Sequence, residues 1–132
     1  MKVSATVKSK LHNHQTAVQT EGAVKEIQIA PKGSGYGSSV NGAELLLLSL
    51  ATCYCNDIYR EAAKRNIKVS KVEVEFRSEF GAEGEPGFNF NYNVDVEADA
   101  SSTEIDDLIR HTDKVAEIHN TLRKGADVRL VK

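Results

Sequence analysis

Two cysteines, Cys53 and Cys55, stand one residue apart at the end of the richest apolar run of the chain, Ala43–Cys55. Thiols at so short a spacing suggest a redox pair or two ligands of a zinc site. The run reads as helix, however, and at 100° per residue the two sulfurs point about 200° apart. While the helix persists they cannot bond each other or share a metal. Each thiol is therefore either a nucleophile in its own surroundings or inert packing, the common state of a free cysteine in an apolar helix.

The other candidate groups are less specific. His12 and His14 share a face if their segment is a strand, as metal ligands can, but no further ligand pair and no H-E-x-x-H completes a site. A solvated hairpin is the plainer reading. His111, among Arg110, Thr112 and Asp113, reads as a solvated helix position, and His119, in a polar cluster with Glu117, Asn120 and Thr121, as a cap or surface turn. The loop Gly33-x-Gly35-x-Gly37 precedes a helix, where phosphates bind, yet it matches neither the Walker pattern nor the dinucleotide fingerprint. Glu44 could act as a general base, but its place three residues after Asn41 marks it as a capping residue. No metal and no cofactor is expected.

The elements that must hold these groups follow from periodicity. Val3, Ala5 and Val7 alternate with polar residues as in a half-buried strand, and further strands are expected over 14–20 and 23–30, joined by the Glu21-Gly22 turn. Pro31 ends the third, and the Gly/Ser-rich stretch 32–39 reads as a mobile loop. Asn41 and Glu44 form a capping box for a helix running to about Arg65, with Asn66 as its C′ residue. Val72–Phe80 and Phe88–Glu97 alternate again and predict an antiparallel hairpin. Ser101 and Glu104 cap a second helix, a short helical piece falls around 118–122, and Val128–Val131 closes as a last strand. The expected fold is α+β in the order βββ-α-ββ-α-β, one domain over residues 1–132.

Composition bounds the partners. The 132 residues carry 17 Lys plus Arg against 19 Asp plus Glu, a net charge of −2, which argues against nucleic-acid binding through a general basic surface. The apolar run is too short to span a bilayer and contains Glu44, and the opening residues lack the apolar core of a signal peptide, so a cytoplasmic protein without membrane contact is expected. One tension remains. The first half of the long helix, Leu45–Ala51, is apolar on every face, and a chain of this length has little to cover it. The same surface of a second copy would supply that cover.

The run Asn41-Gly42-Ala43-Glu44-Leu45-Leu46-Leu47-Leu48-Ser49-Leu50-Ala51-Thr52-Cys53 resembles the central-helix motif of the OsmC/Ohr family, in which an E-L-L-L-x-A-L-x-x-C pattern ends in a reactive cysteine. Ile118-His119-Asn120-Thr121-Leu122 resembles the family's C-P-V-S-N-T-L segment, and the element order matches over nearly the whole chain. The resemblance implies antiparallel sheets wrapped around a long central helix in an intertwined homodimer. It also implies a Cys-based peroxidase that reduces organic hydroperoxides, with Cys53 as the peroxidatic residue. Glu44, Cys55, Arg60, His119 and Asn120 are the candidate supporting residues. By the same alignment the resolving position falls on Ala116, the glutamate that partners the family's arginine falls on Ala43, and no arginine precedes Arg60. The sulfenate formed on Cys53 would then need an external thiol. The alternative is a non-enzymatic dimer on the same fold that binds a small apolar ligand or senses redox state.

Overall fold

The structure, a computed structural model, describes residues 1–131 and divides into two compact units, Met1–Leu45 and the chain from Leu46 onward. The first holds strands β1 (Val3–Lys10), β2 (Asn13–Thr20) and β3 (Ala23–Glu26) in an antiparallel meander, with Val3 opposite Thr20 and Ala17 opposite Glu26. Glu21 and Gly22 both have positive φ, 48° and 86°, the backbone a tight hairpin between right-twisted strands requires. β3 ends four residues earlier than its apolar pattern suggests; just past it Ile27 N donates to the Thr16 carbonyl at 3.4 Å and the Thr16 hydroxyl donates to the Ile27 carbonyl. The Gly/Ser-rich loop is not free. Pro31 bridges Ser38, Lys32 N donates to the Gly37 carbonyl at 3.0 Å, and Ser39 N donates to the Ala30 carbonyl at 2.9 Å. Backbone groups that no side-chain pattern announces close it.

Helix α1 (Gly42–Lys64) begins at the end of the first unit and runs through the second. Its capping box forms as expected, Glu44 N donating to Asn41 Oδ1 at 2.8 Å and Asn41 N to Glu44 Oε2 at 2.7 Å. Its end is a Schellman turn: Asn66 has φ 54°, and Ile67 N and Asn66 N donate to the carbonyls of Ala62 and Ala63.

In the second unit, Leu50, Tyr54, Ile58 and Ala62 make a stripe at four-residue steps on α1, and all four are buried. Against Tyr54, Ile58 and Ala62 pack the apolar face of the hairpin β4 (Lys68–Glu79) and β5 (Phe88–Asp99) and the inner residues of α2 (Ser102–Val115). The hairpin register pairs Val72 with Val96, Val74 with Val94 and Phe76 with Tyr92, whose rings stack at 4.5 Å. Helix α2 opens on the Ser101–Glu104 capping box and buries Leu108 fully. Helix α3 (Glu117–Lys124) follows after the single residue Ala116, itself fully buried.

Two further expectations change. The helical piece near 118–122 is a full helix of eight residues, stopped by Gly125 at φ 79°. Val128–Val131 forms no strand: no neighbouring strand offers it an edge among the described residues, and Val128, Leu130 and Val131 are 92%, 85% and 87% exposed. A strand needs a partner for its backbone groups, and apolar alternation alone does not supply one. The order is βββ-α-ββ-α-α.

Leu108→Ala removes a side chain that cannot be replaced by water, and should destabilise by about 3 kcal/mol. Ser101→Ala removes one cap and should cost about 1 kcal/mol. Urea denaturation reads both as shifts in midpoint at unchanged slope.

Candidate functional site

Helical geometry brings the residues after Cys53 onto its own face. Asp57 lies one turn on, and the Cys53 thiol donates to Asp57 Oδ2 at 3.6 Å. The other oxygen of Asp57 accepts from Arg60 Nη1 at 2.7 Å, and the carboxylate is 5% exposed. Arg60 also meets Glu61 Oε1 through Nε at 2.9 Å and Glu117 Oε1 of α3 through Nη1 at 3.3 Å. Glu61, equally buried, takes Lys64 at 2.9 Å and lies 3.2 Å from His111 Nε2. One guanidinium thus ties the two buried carboxylates of α1 to the exposed one on α3, and the buried pair requires such a partner.

The sulfur faces the first turn of α3. Burial pushes the Cys53 pKa up, the Ile118 N–H pulls it down, and the nearby charges of Asp57 and Glu117 push it up again, leaving it above its ordinary value. No N-terminus of α1 reaches a thiol in mid-helix, yet α3 delivers one from elsewhere in the chain. Burial likewise raises the Asp57 pKa, against the pull of Arg60. Glu61 is held down to about 2 by Lys64 and Arg60. Cys55 looks away from this array into a shallow recess with Val72 and Val74 of β4, so the two thiols do have separate surroundings, and both are free.

The second part of the site is aromatic. His119 is 4% exposed and stacks on Tyr54 at 5.3 Å, with Phe76 and Tyr92 tilted against it at 5.1 Å. Neither ring nitrogen finds a hydrogen-bond partner among the described residues. Burial lowers its pKa, and the Arg123 charge lowers it further, against smaller upward pulls from Asp113 and the Leu50 backbone. The surrounding phenols are anchored: Tyr54 donates to the Ile109 carbonyl at 2.8 Å, and Tyr92 donates to Asp113, which also takes Arg123 Nη2 at 2.6 Å. Burial lifts the Tyr54 pKa to about 12. Leu50, Phe76, Phe90, Tyr92, His119 and Leu122 line an apolar cleft of about 510 Å³, with Arg123 also at its wall.

Of the candidates read from sequence, the structure brings Arg60 to Cys53 through Asp57 and Glu117. His119 lies on α3 next to Ile118, but as a buried wall of the cleft and not a surface turn. Asn120 joins helices, its Nδ2 donating to the Lys114 carbonyl at 2.9 Å. Glu44 is spent on its cap, and Cys55 lies on another face. Asp57 and Glu117 are not among the candidates that the sequence marks. The four-residue step from Cys53 to Asp57 was a usable signal, whereas nothing local marks Glu117.

The Cys53 sulfur and carboxylate oxygens of Asp57 and Glu117 lie within 4.8 Å of one another, a donor set with the chemistry to hold a metal ion. Both carboxylates already hold Arg60, so a metal would have to displace the guanidinium.

The family described as OsmC-like protein matches residues 35–131 of the chain. Similar solved structures include an OsmC-like protein from Mycoplasma pneumoniae, 20% identical, with TM-score 0.62 over 92% of this chain and 86% of that one. An organic hydroperoxide resistance protein OsmC from Legionella pneumophila is 21% identical, with TM-score 0.58 over 98% and 94%. An OsmC-like hydroperoxide resistance protein from Jannaschia is 14% identical, with TM-score 0.59 over 97% and 89%. Comparison with curated proteins finds no significant match.

His119 generates a pH test. Its folded pKa lies below its unfolded value of about 6.5, so above that pH it carries no penalty, and stability is lost as pH falls through and below it, where the unfolded chain binds the proton more readily. The urea midpoint should fall between pH 7 and pH 5, and His119→Leu should flatten that part of the profile.

Proposed function

The chain belongs to the OsmC-like protein family, and from that premise we propose that it is a thiol-dependent peroxidase in which Cys53 reduces organic hydroperoxides. The observation that carries the reading is the setting of the Cys53 sulfur, which lies against the Asp57 carboxylate and the Ile118 N–H at the start of α3. The Ile118 N–H favours the thiolate in part, against the burial and the Asp57 and Glu117 charges that raise the thiol pKa, so attack needs the carboxylate beside the sulfur. The sulfur attacks one peroxide oxygen, the O–O bond breaks, and the other oxygen leaves as the alcohol, so Cys53 becomes a sulfenic acid. Cys55 faces β4 and cannot condense with it while α1 holds. An external low-molecular-weight or protein thiol therefore attacks the sulfenate, releasing water and leaving a mixed disulfide that a second thiol reduces.

The apolar cleft beside Leu50 and His119 supports an organic substrate over hydrogen peroxide, because an aliphatic or aryl group gains by leaving water there. The working form in this proposal is a homodimer. Leu48, in the apolar half of α1, is 60% exposed in the single chain, and a second copy would bury it. A reducing compartment such as the cytoplasm supplies the thiol reductant.

One observation favours a second reading. Burial and the Asp57 and Glu117 charges hold the Cys53 pKa above its ordinary value, which disfavours the thiolate and suits a ligand-binding protein that uses the cleft without turnover. Consumption of cumene hydroperoxide in the presence of dithiothreitol separates the two. A peroxidase loses consumption in Cys53→Ser and keeps it in Cys55→Ser. If the wild type consumes no hydroperoxide while the cleft takes up an apolar fluorophore, the binding reading replaces it.

Ala116 provides a sharper test. It is fully buried and immediately precedes Glu117, whose carboxylate lies within 4.8 Å of the Cys53 sulfur. Ala116→Cys adds one heavy atom, and in a Cys55→Ser background it should trap oxidised Cys53 as a disulfide and spare it from overoxidation. Absence of the crosslink in intact mass spectra after mild peroxide would remove Ala116 from the resolving position.

A further inference from the structure

We propose that Asp57 is the proton carrier of the reaction at Cys53, taking the thiol proton as the sulfur attacks and returning it to the oxygen that leaves; this rests on the peroxidase reading above. The chemistry asks for such a group. The thiol must lose a proton to become a nucleophile, and cleavage of the O–O bond leaves an alkoxide, a far stronger base, which must gain one. A single carboxyl that accepts the first proton and donates it to the second atom keeps the step balanced. The S–O bond forms, the O–O bond breaks, the sulfur is oxidised to the sulfenic acid, the peroxide is reduced to alcohol and hydroxyl on sulfur, and Asp57 ends as it began.

Asp57 is the side chain that receives the Cys53 thiol, at 3.6 Å, and it is one helical turn away, so the contact follows from α1 itself. Glu117 lies near the sulfur but accepts no hydrogen bond from it among the described residues. Arg60 positions Asp57. It binds the oxygen turned away from the sulfur at 2.7 Å, and it is itself fixed by Glu61 and Glu117, so the carboxylate keeps Oδ2 toward the thiol. The charged groups facing the sulfur are thus Asp57 with Arg60 behind it on α1, and Glu117 on α3, with the Ile118 N–H opposite. Burial supports the role from both sides. It raises the pKa of the thiol, so that a local base has something to do, and it raises that of Asp57 above the ordinary carboxyl value, which makes the carboxyl a better proton acceptor.

Two reactions of the same sulfur distinguish proton delivery from simple thiolate supply. Alkylation by iodoacetamide needs the thiolate, but its leaving iodide needs no proton. Oxidation by cumene hydroperoxide needs both. In a Cys55→Ser background, Asp57→Asn removes a negative charge that raises the thiol pKa, so alkylation of Cys53 at pH 7 should hold or quicken. Single-turnover oxidation should slow about 100-fold, the usual size of a lost general acid–base group. Asp57→Glu should recover part of the oxidation rate. The opposite movements of the two rates are the signature, because a merely structural role would shift both together.

Parallel change in the two rates, or undiminished oxidation in Asp57→Asn, would overturn the proposal while leaving the peroxidase reading intact. Failure of the wild-type Cys53 to be oxidised by the hydroperoxide would overturn both. If circular dichroism shows Asp57→Asn unfolded, the wild-type pH profiles decide. With Asp57 as carrier, oxidation rises less steeply than alkylation between pH 6 and pH 8. Equal slopes would reject it.

Discussion

The burial of one stripe of α1 sets the position of everything else in the second unit. Leu50, Tyr54, Ile58 and Ala62 recur every four residues and are almost wholly removed from water. A helix that commits this stripe to the interior has its rotation decided, and with it the direction of every neighbouring side chain. Cys53, Asp57 and Arg60 fall beside the stripe on the side met by α3, while Cys55 falls on the side met by β4. The different surroundings of the two thiols are therefore a consequence of core packing.

The same commitment carries charge into a place that does not favour it. Asp57 and Glu61 sit next to the buried stripe, each about 4% exposed, and each would be costly there without partners. Arg60 meets both and reaches across to Glu117, and Lys64 and His111 complete the surroundings of Glu61. Breaking such a network by removing one partner leaves an uncompensated buried charge. The array thus joins α3 to α1 through Glu117 and gives Cys53 its electrostatic setting. The arginine on this helix lies behind a carboxylate instead of beside the sulfur, so it orients a proton acceptor and does not lower the thiol pKa by direct contact.

On the aromatic side the balance is reversed. Tyr54 and Tyr92 satisfy their hydroxyls at Ile109 and Asp113, but neither nitrogen of the enclosed His119 finds a hydrogen-bond partner among the described residues. A neutral imidazole tolerates this better than a charged one, and stacking on Tyr54 and contact with Phe76 and Tyr92 offset part of the loss. Its ring closes the inner wall of an apolar cleft, a surface suited to an organic group.

What could be read from the sequence was local. Both capping boxes, the Asn66 stop, the alternating hairpin and the divergence of Cys53 and Cys55 each depend on residues within one turn or one strand, and each stands in the structure. The family was legible in one helix motif and one short segment. Asp57 and Arg60 were open to the same helical arithmetic. Glu117, the α3 N-terminus at the sulfur and the burial of His119 were not, because each depends on a contact between residues more than fifty positions apart. Val128–Val131 shows the converse: its alternation is that of a strand, but a strand is a property of two segments. Periodicity records which face a residue takes on its own element, whereas the element it meets is decided by how the apolar faces bury one another.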